Sequence, residues 1–401
     1  MWEQIRANRN KSIFLVAAMA GVLLAIGYFI GLAFLGSPTA GLIIALIIWG
    51  IMSLVAYFQG DNIFLALSKA RKIERDDHPR LYNTVEEMKI ASGLEYMPDI
   101  YIIDEPAMNA FATGRDPKRA AVAVTSGLLQ KLNRDELQGV IGHEMAHIKN
   151  RDVLLMTMCG VLLGTIVMIS WYLTHMLFWS SMSGGRRSSG GGGGQAQIIL
   201  LLVGLVLMIL APIMARLIYF AISRKREYLA DASSAQYTRY PEGLASALEK
   251  LAGSTIPLKS ANQALAPMYI SNPFRKKGMA ASDLSSTHPP ISERVRILRS
   301  MGGASFADYN DAYASINQSG GSAIPASALA GTGAIGLRAA SSEGAVGNPG
   351  KLERTREVSD LMWKKNNYKT INCDCGTKLK VPPKIGKLTI RCPHCGRTHD
   401  L

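Results

Sequence analysis

Charge is scarce in this sequence, and it is missing in blocks. Only 18% of the 401 residues are Asp, Glu, Lys or Arg, where about 25% is usual for a soluble protein. Between Ser12 and Gly60 there is no charged residue at all. Cysteine is almost absent from the first 372 residues, where only Cys159 occurs; the other four are Cys373, Cys375, Cys392 and Cys395. That distribution argues against a disulfide framework spread over a secreted domain and points to one local site. No Lys/Arg-rich run carries interleaved aromatics, so a nucleic-acid groove is disfavoured. The net charge is nevertheless +14. Beside such apolar blocks, that excess reads as affinity for an anionic membrane surface.

A helix needs about 20 apolar residues to span a bilayer. The first block holds two such stretches, Ile13 to Leu35 and Gly41 to Phe58, separated by Gly36, Ser37 and Pro38. It is too long for a cleaved signal peptide, and the second stretch follows at once. Val153 to Met182 and Ile198 to Ala215 are also uncharged and read as two weaker spans, or as a tilted hairpin packed on the polar part of the chain. Between them a glycine run with Arg186 and Arg187 reads as a flexible loop. Arg6, Arg9 and Lys11 precede the first span. Lys69, Arg71 and Lys72 follow the second, and Arg224, Lys225 and Arg226 follow the fourth. Positive charge marks the cytoplasmic side, so both termini and the central polar region are expected inside.

The chain divides into a membrane hairpin (1–60), a polar region (61–152), a second hairpin (153–222) and a second polar part (223–301). A Gly/Ala/Ser-rich stretch (302–350) reads as a flexible linker, and a small module (351–401) closes the chain. In the polar region the spacing predicts a helix from His78 to Gly93 with Leu81, Val85 and Met88 inward. Short strands are expected at Ile100–Ile103, Ala110–Thr113 and Ala121–Thr125. Asn133 with Glu136 three residues on forms an Asn variant of a capping box. It opens a helix with Leu137, Val140, Ile141, Met145 and Ile148 on one side. Helix is expected again from Arg224 to about Ala252.

That capped helix carries His143-Glu144-Met145-Ala146-His147. The i, i+4 spacing puts both imidazoles on one face, able to share a tetrahedral metal. Glu144 lies beside them, placed to take a proton from a water on the metal. A chance match on an amphipathic helix is the bland alternative, weakened because neither His lies on the main apolar stripe. A catalytic zinc needs a third protein ligand and an open position. Glu227 is the candidate, although spacing alone equally allows a solvated acid that neutralises Arg224 to Arg226. Asp231, one turn later, is placed to hydrogen-bond a ligating imidazole.

These marks recur together with Asn109-Ala110-Phe111-Ala112-Thr113-Gly114 and with Thr287-His288-Pro289-Pro290 followed by Arg294. In that order, with four apolar segments, the chain resembles the M48 metallopeptidase family and, within it, the bacterial HtpX-type membrane proteases. The resemblance covers roughly residues 1 to 300. It implies a multi-pass α-helical membrane protein with an α+β zincin-type (gluzincin) metalloprotease domain. It makes Glu227 the third zinc ligand and has Asp231 orient His143, with Arg294 in support. Asn109 would hold substrate backbone at the cleft edge, and His288 would stabilise the oxyanion. A bacterial inner-membrane location, polypeptide substrates and a role in clearing misfolded or damaged proteins are implied in the same way.

In the terminal module, Cys373-Asp374-Cys375-Gly376 and Cys392-Pro393-His394-Cys395-Gly396 look like the two knuckles of a zinc ribbon. Lys378–Val381 and Leu388–Arg391 are expected to pair as a hairpin between them. Two zinc ions are therefore expected, one catalytic and one structural. The ribbon is a candidate docking module for a protein partner, and nucleic acid is disfavoured. The competing reading is a non-catalytic scaffold that keeps zinc for folding. The presence of Glu144 argues against it.

Overall fold

The computed structural model describes residues 2–32, 36–158, 224–254, 256–258, 268–271, 288–317, 321–330, 333–342, 348–383 and 389–400, with isolated positions between 160 and 213. Most of the second hairpin, the whole of its loop, Cys159 and Thr287 lie outside the described residues.

The chain opens with α1 (Trp2–Ile30) and α2 (Pro38–Leu67). Ser37 caps α2 by accepting from the Ala40 amide, and Pro38 starts the helix where no amide donor is needed. The two helices meet through Gly27, Gly31 and Gly41. A Cβ on Gly41 would stand 2.0 Å from the Gly27 carbonyl oxygen, so only glycine permits that approach. Away from this seam Ile43, Ile47, Ile51 and Leu54 stay more than half exposed. Among the described residues α2 alone is long and apolar enough to cross a membrane. In α1 the described apolar stretch is Val16–Tyr28, shorter than that.

A four-stranded sheet follows, in the order β1 (Arg71–Lys72), β2 (Asp99–Ile103), β4 (Ala120–Thr125), β3 (Ala110–Gly114). β2 and β4 run parallel; the outer pairs are antiparallel. Strand β4, AAVAVT, is buried at every residue, as suits a strand covered on both faces. Helix α3 (Pro79–Ser92) contributes Leu81, Val85 and Met88 to the core. After α4 (Ser126–Lys131) comes α5 (Arg134–Lys149), with the predicted capping box present in full: Glu136 N donates to Asn133 Oδ1, and Asn133 N donates to Glu136 Oε2, both at 2.9 Å.

The helix expected from Arg224 to Ala252 is two helices, α6 (Arg224–Thr238) and α7 (Pro241–Gly253). Arg239 turns left-handed (φ 54°) just before the helix-breaking Pro241. Both pack on α5. At Gly139 a Cβ would sit 2.6 Å from the Leu244 amide nitrogen, so this glycine sets how closely α7 approaches the helix of the two histidines. Helix α8 (Ile291–Arg299) packs across α6 and α7.

Two expectations need correction beyond this point. Residues 302–350 are not simply a linker: Phe306–Asn317 forms α9 and Ala326–Leu329 forms α10. Tyr309, Ala312, Ala323 and Ile324 enter the main core, and Arg338 and Ser341 both bond Asp135 at the start of α5. Four apolar side chains at helical spacing, Phe306, Tyr309, Tyr313 and Ile316, outweigh the surrounding Gly and Ser. In the terminal module the strands do not pair with each other as expected. β5 (Lys369–Asn372) pairs with β6 (Lys378–Val381), and β7 (Thr389–Arg391) pairs with β8 (Thr398–Asp400). Each Cys knuckle is the turn of its own hairpin, so each strand finds its partner locally. Helix α11 (Lys351–Lys365) carries the module onto the main domain, with Val358 and Leu361 in the core and Glu357 bonded to Arg80.

Candidate metal centre and active site

His143 and His147 lie one turn apart on α5, and Glu227 lies in the first turn of α6. One ligand atom from each falls within 4.8 Å of the others. The imidazole Nε2 atoms are 3.2 Å apart, and Glu227 places Oε2 3.6 Å from His143 Nε2 and Oε1 3.5 Å from His147 Nε2. All three are buried.

Each imidazole is anchored from behind. His143 Nδ1 lies 2.9 Å from Asp231, and His147 Nδ1 lies 3.1 Å from Asp152. Protons placed on both Nδ1 atoms leave two bare Nε2 lone pairs facing each other and a carboxylate. Such a set repels itself unless a cation sits within it, and two imidazoles with one carboxylate suit zinc. Asp231 is itself gripped by Arg294, with Nε to Oδ2 at 2.8 Å and Nη2 to Oδ1 at 2.6 Å. Burial would raise the Asp231 carboxyl, but Arg294 holds it below the usual carboxylate range. Burial also disfavours charge on His143, yet Asp231 and Glu227 raise its pKa to about 9. Glu227, though fully buried, is held well below its ordinary value by His288 and the two other imidazoles.

Glu144 is buried beside this cluster, and burial pushes its carboxyl upward against the pull of His143 and His147. His288 places Nδ1 2.7 Å from Glu227 Oε2, so it stands against the one carboxylate of the donor set. Asn109 lies at the start of the edge strand, where its side chain accepts from the Ala110 amide and donates to the Ser271 carbonyl. In this state its carboxamide holds the chain's own backbone. Asp152 was not singled out from the sequence. Near the far end of β3, Arg115 lies over the rings of Tyr57 and Phe58 on α2, about 5 Å from each. The edge strand beside the histidines therefore runs into the membrane-type helix.

Peptidase family M48 matches residues 75–302 of this chain, the stretch that builds β2, β3, β4, α5, α6 and α8. This chain belongs to peptidase family M48. It is 44% identical over 301 residues to a protease HtpX homolog of Dictyoglomus turgidum, covering 75% of this chain and 95% of that protein. A protease HtpX homolog of Streptococcus thermophilus is 42% identical over the same length, covering 75% and 100%. Among solved structures, the crystal structure of S. mikatae Ste24p aligns over 74% of this chain and 67% of that chain, at 20% identity and a TM-score of 0.39. The chain is an HtpX-like M48 metalloprotease, and its α5–α6 histidine and glutamate cluster is a metal-type donor set within the matched region.

A second donor set lies outside it. Cys373 Sγ is 3.4 Å from Cys395 Sγ, and Cys375 Sγ is 3.7 Å from Cys392 Sγ. The four are free thiols within 4.8 Å of one another. Gly376 and Gly396 take positive φ (84° and 75°) to close the knuckles, and their amides donate to the carbonyls of Cys373 and Cys392. Four thiols this close and unbridged suit a structural zinc.

Proposed function

We propose that this protein is a membrane-bound, zinc-dependent endopeptidase that cleaves misfolded or damaged polypeptides at a site on the cytoplasmic face. The observation that carries the reading is the convergence of His143, His147 and Glu227 with Glu144 on the same helix. A zinc ion held by those three residues would polarise the scissile carbonyl and acidify a bound water. Glu144 takes the proton from the attacking water and delivers it to the leaving nitrogen; its raised carboxyl pKa suits both directions of transfer. Asp231 and Asp152 keep the imidazoles oriented, and Arg294 keeps Asp231 ionised. His288 is assigned to hydrogen-bond the carbonyl oxygen as charge builds there. An extended substrate pairs with β3, with Asn109 exchanging Ser271 for substrate backbone. The four ribbon cysteines hold a second, structural zinc, and the ribbon offers a surface to a protein partner.

The membrane arrangement is part of the same proposal. α1 and α2 form one hairpin and 153–222 a second, with both termini on the cytoplasmic side. Support comes from the uncharged blocks and their flanking Lys and Arg residues. Contact between the edge strand and α2 supports a cleft near the bilayer surface, where chains leaving the membrane would arrive.

Cleavage of an unfolded model protein by the detergent-purified chain, beside its Glu144→Gln variant, tests the chemistry. The variant is expected to bind zinc as the wild type does and to lose at least about a hundredfold in kcat. Full activity in the variant would remove Glu144 from the base role.

A further inference from the structure

Helix α9 begins at Phe306, just beyond the end of the M48 match at residue 302, and yet it reaches the support of the metal centre. Its last residue, Asn317, donates from Nδ2 to Glu293 Oε1 at 2.8 Å. The same oxygen accepts the hydroxyl of Tyr228 at 2.7 Å. Tyr228 directly follows Glu227, and Glu293 directly precedes Arg294, the residue that clamps Asp231. One carboxylate oxygen therefore ties α6 to α8, one residue away from a metal-type donor on one side and one residue away from its clamp on the other.

The rest of α9 reinforces this knot. Tyr313 meets the ring of Tyr228 edge-on at 5.0 Å, and Tyr309 is fully buried where α9 packs on α6 and α8. Two neutral donors on one carboxylate oxygen satisfy a partly buried charge without importing a competing cation. Arg294 can then commit both its Nε and Nη2 to Asp231.

We propose that Asn317 is a positioning residue for the metal centre, acting through Glu293 and Tyr228, so that this chain's segment beyond the family domain sets the affinity of its His143, His147 and Glu227 cluster. The inference rests on the metal reading above, applied to the full chain.

Cobalt is the probe, because its spectrum separates a four-thiolate site from one of two imidazoles and a carboxylate. In the detergent-solubilised full chain, Asn317→Ala is expected to weaken cobalt at the imidazole–carboxylate site about tenfold, the low end of the loss seen on removing a direct partner of a metal ligand, because Asn317 acts through Glu293 and Tyr228. The thiolate spectrum should not change, and kcat should fall while KM holds. Tyr228→Phe, which removes the other donor, is expected to act in the same direction. Asn317→Gln keeps an amide donor and should stay within about threefold of the wild type. Unchanged cobalt affinity in Asn317→Ala would overturn the proposal. So would equal loss from both sites with a lowered Tm, which marks general destabilisation. If Asn317→Ala does not accumulate, Tyr228→Phe decides alone: wild-type affinity there overturns the proposal. A wild-type chain with no imidazole–carboxylate spectrum would instead overturn the metal reading.

Discussion

Each imidazole of the candidate metal cluster has its own aspartate, and the two aspartates come from different places. Asp231 lies one turn after Glu227 and could be named from spacing. Asp152 stands five residues after His147, which on an unbroken helix points well away from it. The helix is broken, however: α5 ends at Lys149, and Arg151 takes a left-handed conformation (φ 57°). That single residue turns Asp152 back to His147 Nδ1 at 3.1 Å. A left-handed arginine has no signature in a sequence, so the sequence alone does not disclose Asp152 as a partner of His147. Asp152→Ala is expected to weaken metal binding at the catalytic cluster by roughly 10- to 100-fold. Equilibrium competition with a chelator measures this, and an unchanged affinity would show that His147 needs no such anchor.

At the scale of elements, helix ends carry much of the specification. Helix α3 is capped by an unusual residue: His78 Nδ1 accepts from the Leu81 amide at 3.1 Å. Burial, with Arg80 adding to it, lowers the His78 pKa from 6.5 to about 4. The folded chain therefore keeps this imidazole neutral where the unfolded chain would protonate it. The cap contributes fully above pH 6.5 and is lost as pH falls towards 4, at most by about 3 kcal/mol. Asn keeps a cap acceptor and does not titrate. Unfolding free energy measured against pH should thus fall less steeply for His78→Asn than for the wild type across that window. Parallel curves would show that His78 is not the titrating cap. The capping box of α5, the inward face of α3 and the three longer strands were legible because their signals are local. The hairpins of the terminal module and α9 were not. Only two of the module's four strands stood out as strand-like, so each lacked its true partner in the sequence reading, and the aromatic spacing of α9 was diluted by the Gly, Ala and Ser around it.

Across the whole molecule, the protease domain is gripped from both ends of the chain. The N-terminal hairpin reaches it through Arg115 on Tyr57 and Phe58. The terminal module reaches it through Lys364 and Lys365 on Asp77, each at 2.7 Å, and through Arg80 on Glu357. The family and the chemistry of the cluster were readable from short motifs. How the extension folds back was not, because Arg338 and Asp135 are 203 residues apart and no local pattern joins them. In the proposed reading, His143, His147 and Glu227 hold a catalytic zinc that is separate from the ribbon's. Metal analysis of the purified full chain, run with a cleavage assay on wild type and Glu227→Ala, tests it most directly. Two zinc ions per wild-type chain, one in the variant and no cleavage by the variant are expected. A variant that keeps both ions and still cleaves would contradict the claim.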